Sequence, residues 1–146
     1  MEARLSPRDW LLLLFDGADR PIDRVRIQKA MFLFAQRSQA PAGEKYHFQP
    51  YHYGPFSFEI YPDLEKLIAE GLIRGEQVPW LSSPVYSLTP VGHDQLEKLR
   101  SHAPDPRVAL LRNVREFVTV RNFNNLLKDI YALYPEYAAR SVFQKS

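Results

Sequence analysis

The sequence predicts a mostly α-helical fold with one small antiparallel β-hairpin. Three observations predict it: apolar residues recur at helical spacing in several segments, Ser-Pro and Thr-Pro pairs stand where helices can begin, and two short β-rich segments lie between helices. With 146 residues, of which 45% are hydrophobic, the chain suits one compact domain. We therefore expect residues 103–146 to form only a C-terminal extension of that domain.

The composition excludes several classes of protein. The chain has no cysteine, so it contains neither disulfides nor thiolate metal sites. Its longest apolar run, residues 10–15, is far too short to cross a bilayer, and acidic residues flank it where a signal peptide would be basic. We expect a cytoplasmic protein without membrane contacts.

The first two helices have clear start signals. Ser6 caps free amides ahead of Pro7, whose missing N–H costs nothing in the first turn. Asp23 is placed to cap a second helix. The apolar face of this second helix comprises Ile27, Ala30, Met31, Phe34 and Ala35, widened by Phe32 and Leu33. A face this broad predicts a central core helix.

An aromatic extended segment, residues 45–57, ends in an abrupt turn. Gly54 supplies unusual backbone angles, and Ser57 is a good N-cap for the next helix. Pro62 allows a second interpretation, in which the regular helix begins nearer Tyr61. We expect the turn motif, in which an extended segment passes directly into a helix, to comprise Tyr53, Gly54, Pro55, Phe56 and Ser57.

The rest of the chain continues with a helix, a hairpin and three more helices. The helix of residues 57–70 has an inward apolar stripe and ends at Gly71. Residues 72–78 and 84–88 read as two paired strands, and Thr89-Pro90 starts another helix. Two helices follow residue 103, the last capped by Asn122 or Asn124.

This order is the pattern of a winged helix-turn-helix domain over residues 1–102. The hairpin is the wing, and the helix of residues 57–70 takes the position of a recognition helix. Residues 103–146 then form a C-terminal helical extension packed on the same domain.

Four stretches carry a resemblance to known proteins: RIQKAMFLF, YHYGPFSFEIYPDLEKLIAEGLI, YSLTPVG and IYALYPEYAARS. Together they resemble the YwgA-type prokaryotic proteins, and distantly the Panacea/SocA-type antitoxin domain. The first group implies a winged-helix-like fold without a settled activity, and the second implies an antitoxin or adaptor that acts by protein contact. The sequence departs from the usual pattern at Arg26-Ile27, at Phe56 and at Pro62.

The residues predict no catalytic or metal site. His47 and His52 are five apart, which sends them to opposite faces of a strand, and the sequence contains no H-x-x-x-H or H-E-x-x-H motif. The nucleophile elbow, the Walker loop and the dinucleotide-binding glycine motif are all missing from the sequence. We therefore expect a non-enzymatic protein without cofactors.

The aromatic segment has two interpretations. Its rings can form a platform for base stacking, or they can pack between the second and third helices. The second interpretation is favoured, more firmly for Tyr53 and Phe56 than for Phe58.

The charge pattern argues against standard DNA docking. Residues 57–100 carry four basic and seven acidic residues, a net charge of −3, and the outer face of the third helix is negative. Such a face repels phosphate. Positive charge lies elsewhere, and the candidate nucleic-acid-binding residues are Arg24, Arg26, Lys29, Arg37, Arg74, Arg112 and Arg115.

Two functions follow. The favoured one is a transcription regulator that binds double-stranded DNA through this non-standard basic surface, because DNA binding is the commonest use of the fold. The alternative is a protein-interaction module of antitoxin or adaptor type, whose candidate contacts are Phe58, Glu59, Glu65 and Lys66. The sequence leaves open whether the last two helices mediate a homodimer or complete the core.

Overall fold

The computed structural model describes residues 4–142 of the chain. Residues 1–3 of the predicted winged-helix domain and residues 143–146 of the predicted C-terminal extension lie outside that range. The described residues form six α-helices: α1 (Pro7–Leu13), α2 (Arg24–Arg37), α3 (Ile60–Ala69), α4 (Pro90–Arg100), α5 (Asp105–Thr119) and α6 (Phe123–Leu133). They also form five short strands: β1 (Ile22–Asp23), β2 (Gln49–Tyr51), β3 (Gly54–Phe56), β4 (Ile73–Glu76) and β5 (Val85–Leu88). A largely helical protein with a small antiparallel sheet is thus confirmed.

Side-chain caps start most of the helices as predicted. Ser6 and Asp9 form a reciprocal capping box at α1, with Asp9 N donating to Ser6 Oγ at 3.1 Å and Ser6 N donating to the Asp9 carboxylate at 2.9 Å. Asp23, Thr89 and Asn122 cap α2, α4 and α6. Each cap satisfies amides that the first turn leaves without a partner.

The predicted hairpin of β4 and β5 is confirmed, and it gains a third strand. Residues 73–76 pair antiparallel with residues 85–88. The two-residue strand β1 pairs with β5 on the other side, which gives the order β1-β5-β4. The sequence signalled β1 only as the cap region of α2. A separate two-stranded sheet, β2-β3, lies in the aromatic segment.

Helix α2 occupies the centre of the core, as its broad apolar face predicts. Ile27, Ala30 and residues 31–34 are all buried. Helix α5 packs along α2 and contributes Leu111, Val114 and Val118 to the same core. Within residues 4–142, no helix has the length and apolar character needed to cross a bilayer.

The junction between the α3–β4 link and α4 is unusually tight at Gly92. An ideal Cβ on Gly92 would lie 1.8 Å from the carbonyl oxygen of Leu72. Thr89 N donates to that same oxygen at 3.1 Å, and the Thr89 hydroxyl, which caps α4, donates to the adjacent Gly71 carbonyl at 2.6 Å. The link therefore cannot move without loss of these contacts. Only glycine allows the start of α4 to approach the link this closely.

We expect Gly92→Ala to destabilise the fold by about 3 kcal/mol, because the added methyl group must displace backbone. A thermal melt should show a Tm about 10 °C lower than that of the wild type. The control is Gly43→Ala, whose ideal Cβ has no neighbour within 4 Å. Equal Tm values for the two variants would contradict the tight junction.

Candidate interaction surface

The aromatic segment folds back as a hairpin before the chain reaches α3. Tyr51 pairs with Gly54 across a two-residue turn, and Gln49 pairs with Phe56. Gly54 has the predicted unusual backbone angle, with φ +89°. The prediction that the extended segment passes directly into a helix at this motif was wrong, because β3 lies between the turn and α3.

Gly54 also lies against α6. An ideal Cβ at this position would approach Tyr131 Cε1 and Leu127 Cδ2 to 3.3 and 3.5 Å. The hairpin is therefore held on one side by the C-terminal helix. The side chains of β2-β3 reach the surface on the other side.

Two buried polar side chains of α2 hold the exit of the hairpin. Gln28 forms a pair of 2.9 Å hydrogen bonds with Ser57: Gln28 Nε2 donates to the Ser57 carbonyl, and Ser57 N donates to Gln28 Oε1. Lys29 Nζ donates to the Pro55 carbonyl at 3.1 Å. We call these four residues and their contacts the polar clamp. They satisfy backbone groups that no sheet or helix pairs at this point.

Two sequence predictions fail at the polar clamp. Lys29 is only 2% exposed, so it cannot contact a phosphate group as predicted. Ser57 is fully buried, and α3 begins at Ile60 with Glu59 as its N-cap residue, without a side-chain cap. The second interpretation of Pro62, in which the helix starts nearer Tyr61, is confirmed.

Around the hairpin lies a connected row of rings, which we call the aromatic ridge: Tyr51, His52, Phe56, Phe58 and Tyr61. The Tyr51 and His52 rings stack with centroids 4.4 Å apart. Phe56 contacts the rings of Tyr51, Phe58 and Tyr61 at 5.1, 4.8 and 5.3 Å. The last contact joins β3 to the first turn of α3. Edge-to-face and tilted contacts of this kind stabilise one another.

An arginine lies at each end of the aromatic ridge. The guanidinium of Arg24 lies 4.7 Å from the Tyr61 centroid, and that of Arg140 lies 6.0 Å from the Tyr51 centroid. Burial raises the pKa of the Tyr61 hydroxyl, and the nearby Arg24 charge opposes this shift. Arg24, a predicted nucleic-acid contact, is thus engaged with a ring of its own chain.

The aromatic ridge is open to solvent at two of its rings. Phe58 is 56% exposed, and His52 is also exposed. The expectation that these rings pack between α2 and α3 was wrong for Phe58. It was also wrong for Tyr53, which is 49% exposed and contacts Phe123 of α6 at 5.6 Å. Phe56 lies partly buried between its neighbours.

The outer face of α3 continues the surface with mostly acidic groups. Glu59, Glu65 and Lys66 are exposed, as predicted. Glu59 accepts from His47 N at 3.2 Å, and the Asp63 carboxylate accepts from the Tyr46 hydroxyl at 2.7 Å. Burial, together with the Asp63 carboxylate, raises the pKa of Tyr46 well above its usual range. The carboxylates at the start of α3 therefore also position the preceding loop.

Most of the other predicted nucleic-acid contacts are engaged inside the molecule. Arg26 donates to the carbonyl oxygens of Val118 and Arg121 and to Asp23, at 2.9–3.0 Å. Arg112 pairs with the buried Asp16 carboxylate. These contacts tie α2 and α5 to their neighbours.

Arg115 is engaged in the same way. Its guanidinium donates to the carbonyl oxygens of Leu14 and Asp16. Burial lowers the pKa of Arg115, although it remains a cation at any relevant pH. Its charge serves to hold the end of α1 against α5.

An open cleft of about 1000 Å³ lies between the loop after α1 and helix α5. Its basic residues are Arg20, Arg26, Arg112 and Arg115. Three acidic residues also line it, Asp19, Asp23 and Glu116, and the Asp16 carboxylate pairs with Arg112 there. The lining residues thus carry four positive and three negative charges, and Asp16, which also pairs with Arg100, further offsets the charge of Arg112. The cleft therefore offers a phosphate group only a small net positive charge.

Of the predicted nucleic-acid contacts, Arg37 and Arg74 remain available to bind a ligand. Both are exposed, and within residues 4–142 neither forms an ion pair. Arg37 ends α2, whereas Arg74 lies on β4. Two isolated arginines on different elements make a weak site for a duplex.

No group of three or more potential ligands among residues 4–142 is arranged to hold a metal ion. No protein-family model matches the sequence, and a search of curated proteins finds no significant match. The resemblance to YwgA-type and Panacea-type proteins therefore stays a prediction.

Sequence reasoning missed the contacts that build the surface. Lys29 was expected at the surface as a nucleic-acid contact, and Gln28 was given no role, although both follow directly after Ile27 in a helix with a very broad apolar face. The width of this apolar face was the feature of the sequence that could have predicted the burial of Gln28 and Lys29. Arg140 reaches the aromatic ridge because the C-terminal segment packs on the hairpin, where Val142 N donates to the His52 carbonyl at 2.8 Å, and no local pattern indicates this contact.

Lys29 makes stability depend on pH in a defined way. Burial lowers its pKa from the usual 10.5 to about 7, and Asp23 partly opposes the shift. Between pH 7 and 9 the unfolded chain keeps the proton while the folded protein releases it. We therefore expect the free energy of unfolding to rise across this window by up to about 1.4 kcal/mol per pH unit.

Urea unfolding at pH 7, 8 and 9 measures this dependence. Lys29→Met has nothing to titrate, so it should lose the rise. Lys128→Met removes an exposed lysine and should keep it. The same pH slope in wild type and Lys29→Met would contradict the assignment.

Proposed function

We propose that this protein is a non-catalytic interaction module that docks a protein partner through the aromatic ridge and the outer face of α3. The succession of α2, α3 and the β4–β5 hairpin supports a winged-helix-like arrangement. In it, α3 takes the recognition-helix position and the hairpin takes the wing position. The docking surface lies on the side of α3 that faces away from the core.

The exposure of the aromatic ridge carries the proposal. A domain that leaves a Phe more than half exposed within a network of five contacting rings gains little from that exposed surface in folding. Contiguous apolar patches of this kind mark interaction sites. Aromatic residues and arginines are also the types that dominate binding energy at protein interfaces.

The charge of α3 indicates the chemistry of the partner. Residues 57–76 carry five acidic and two basic residues, a net charge of −3. A complementary segment would therefore present apolar side chains flanked by Lys or Arg. Such complementarity speeds association and rejects acidic surfaces, nucleic acids included.

The arginines form contacts within the molecule, and these contacts weaken the case for DNA binding, the function that the sequence favours. Lys29 is buried, and Arg26, Arg112 and Arg115 satisfy carbonyl and carboxylate groups of the same chain. A phosphate would have to compete with these contacts. Double-stranded DNA remains a second candidate because Arg37 and Arg74 are exposed.

Replacement of the ridge and α3 contacts should abolish partner binding without unfolding the protein. We expect Phe58→Asp and Glu65→Arg to lose the same captured protein in a quantitative affinity-capture experiment. Truncation of a central aromatic contact typically costs more than about 2 kcal/mol, or roughly thirtyfold in Kd. Titration calorimetry with the purified partner measures the loss.

Val91→Asp is the matched control, since Val91 is equally exposed but lies on α4. It should retain the partner. Circular dichroism and thermal melts check that all three variants are folded. Retention of every captured protein by Phe58→Asp and Glu65→Arg would exclude this surface as the interface.

A salt titration separates the two functions. Fluorescence anisotropy with a random 30-base-pair duplex, from 20 to 300 mM salt, should show no binding if the protein is a protein-docking module. Phosphate contacts would instead give an affinity that falls with a log–log slope of about −0.9 for each contact. In that case Arg37→Glu and Arg74→Glu should each reduce the slope by about one unit.

A further inference from the structure

The three-stranded sheet ends in an open edge at β4. In the order β1-β5-β4, one side of β4 pairs with β5, and among residues 4–142 no strand pairs with the other side. Gly75, in the middle of β4, is exposed. Because glycine has no side chain, this exposure belongs to its backbone atoms, the N–H and C=O groups included. These are the groups that pair with an added strand.

The residues on either side of Gly75 have opposite charge. Ile73 is buried, whereas Arg74 and Glu76 are exposed and share the other face of the strand. The inner side of Gly75 is closed, since its ideal Cβ would approach Ile68 Cδ1 and Tyr86 Cε1 to 3.3 Å. The free edge therefore presents a basic residue, a glycine and an acidic residue in that order.

We propose that β4 pairs antiparallel with β4 of a second copy of this chain, around a two-fold axis at Gly75. In this register Gly75 faces its own equivalent. Arg74 of each copy then lies opposite Glu76 of the other. The two sheets become one continuous six-stranded sheet, and both charge pairs are attractive.

The order of the charges along β4 favours a second copy of this chain over other binding partners at this edge. A two-fold axis reverses the strand direction, so an Arg-Gly-Glu sequence is complementary to itself. A nucleic acid would meet Glu76 as readily as Arg74, and the wing loop, residues 77–84, contains no charged residue to hold phosphate.

Apolar surface follows β4 directly. The turn at residues 78–81 is held by Leu81 N donating to the Val78 carbonyl at 3.3 Å and by Gln77 Nε2 donating to the Leu81 carbonyl at 3.1 Å. It presents Trp80, which is 78% exposed, together with Leu81. In the proposed register this turn continues alongside the α3–β4 link of the second copy. Trp80 then gains apolar contact at the dimer interface.

This inference does not depend on the proposed docking function. The aromatic ridge is built from β2, β3 and the start of α3, whereas the pairing uses the edge of β4. Either surface can be tested while the other is intact.

Sedimentation equilibrium from about 1 to 500 μM tests the pairing. We expect the wild type to form a dimer. Arg74→Glu places two carboxylates opposite each other, and Glu76→Arg places two guanidinium groups opposite each other. Each should raise the dimer Kd by about tenfold or more. Both residues are exposed, so the monomer fold should survive, as circular dichroism checks.

Restoring dimerisation with complementary charge reversals tests the proposed register of the two β4 strands. The double variant with Arg74→Glu and Glu76→Arg should dimerise like the wild type. An equimolar mixture of the two single variants should form a heterodimer, because every opposed pair is again of opposite charge. The control is Asp94→Arg, on the exposed face of α4, which should leave the Kd unchanged.

Three results would overturn the proposal. They are a wild type that stays monomeric at every concentration, a dimer that tolerates both single variants, and single variants that neither the double variant nor the mixture rescues.

Discussion

The polar clamp between α2 and Ser57 is the constraint on which the exposed surface depends. Two side chains that start from the core helix satisfy three backbone groups at the exit of the β2–β3 hairpin. Buried polar groups without partners cost about 1–3 kcal/mol each, so this segment has one favourable arrangement. Because the clamp places Pro55 and Ser57, it also places Phe56 and Phe58, and with them the aromatic ridge.

The arginines illustrate how positive charge along a sequence can fail to become positive surface. Arg26 and Arg115 act as multivalent donors to carbonyl oxygens at helix ends, where a guanidinium satisfies more acceptors than any other side chain. Arg112 neutralises Asp16, a carboxylate that would be costly to bury alone. The net charge of the chain therefore describes its solubility better than its ligands.

The candidate site was only partly predictable. Glu59, Glu65 and Lys66 were expected on the outside of the third helix, because the inward stripe of Ile60, Leu64 and Leu67 leaves them no other place. The burial of Lys29 and the half-exposure of Tyr53 were not expected. Both depend on which neighbour covers a given side, and periodicity along the chain contains no such information.

The sequence by itself determined where elements begin and which faces are apolar: the caps at Ser6, Asp23 and Thr89, the central position of α2 and the pairing of β4 with β5. These features are local, since they follow from side chains within a few residues of the backbone groups they satisfy. Tertiary structure alone decided that β1 joins the sheet, that a hairpin precedes α3 and that Arg26, Arg112 and Arg115 bind carbonyl and carboxylate groups of their own chain. Each of these depends on contacts between residues far apart in the chain, such as Arg26 with Val118, whose strength is set by the packed fold and not by neighbouring sequence.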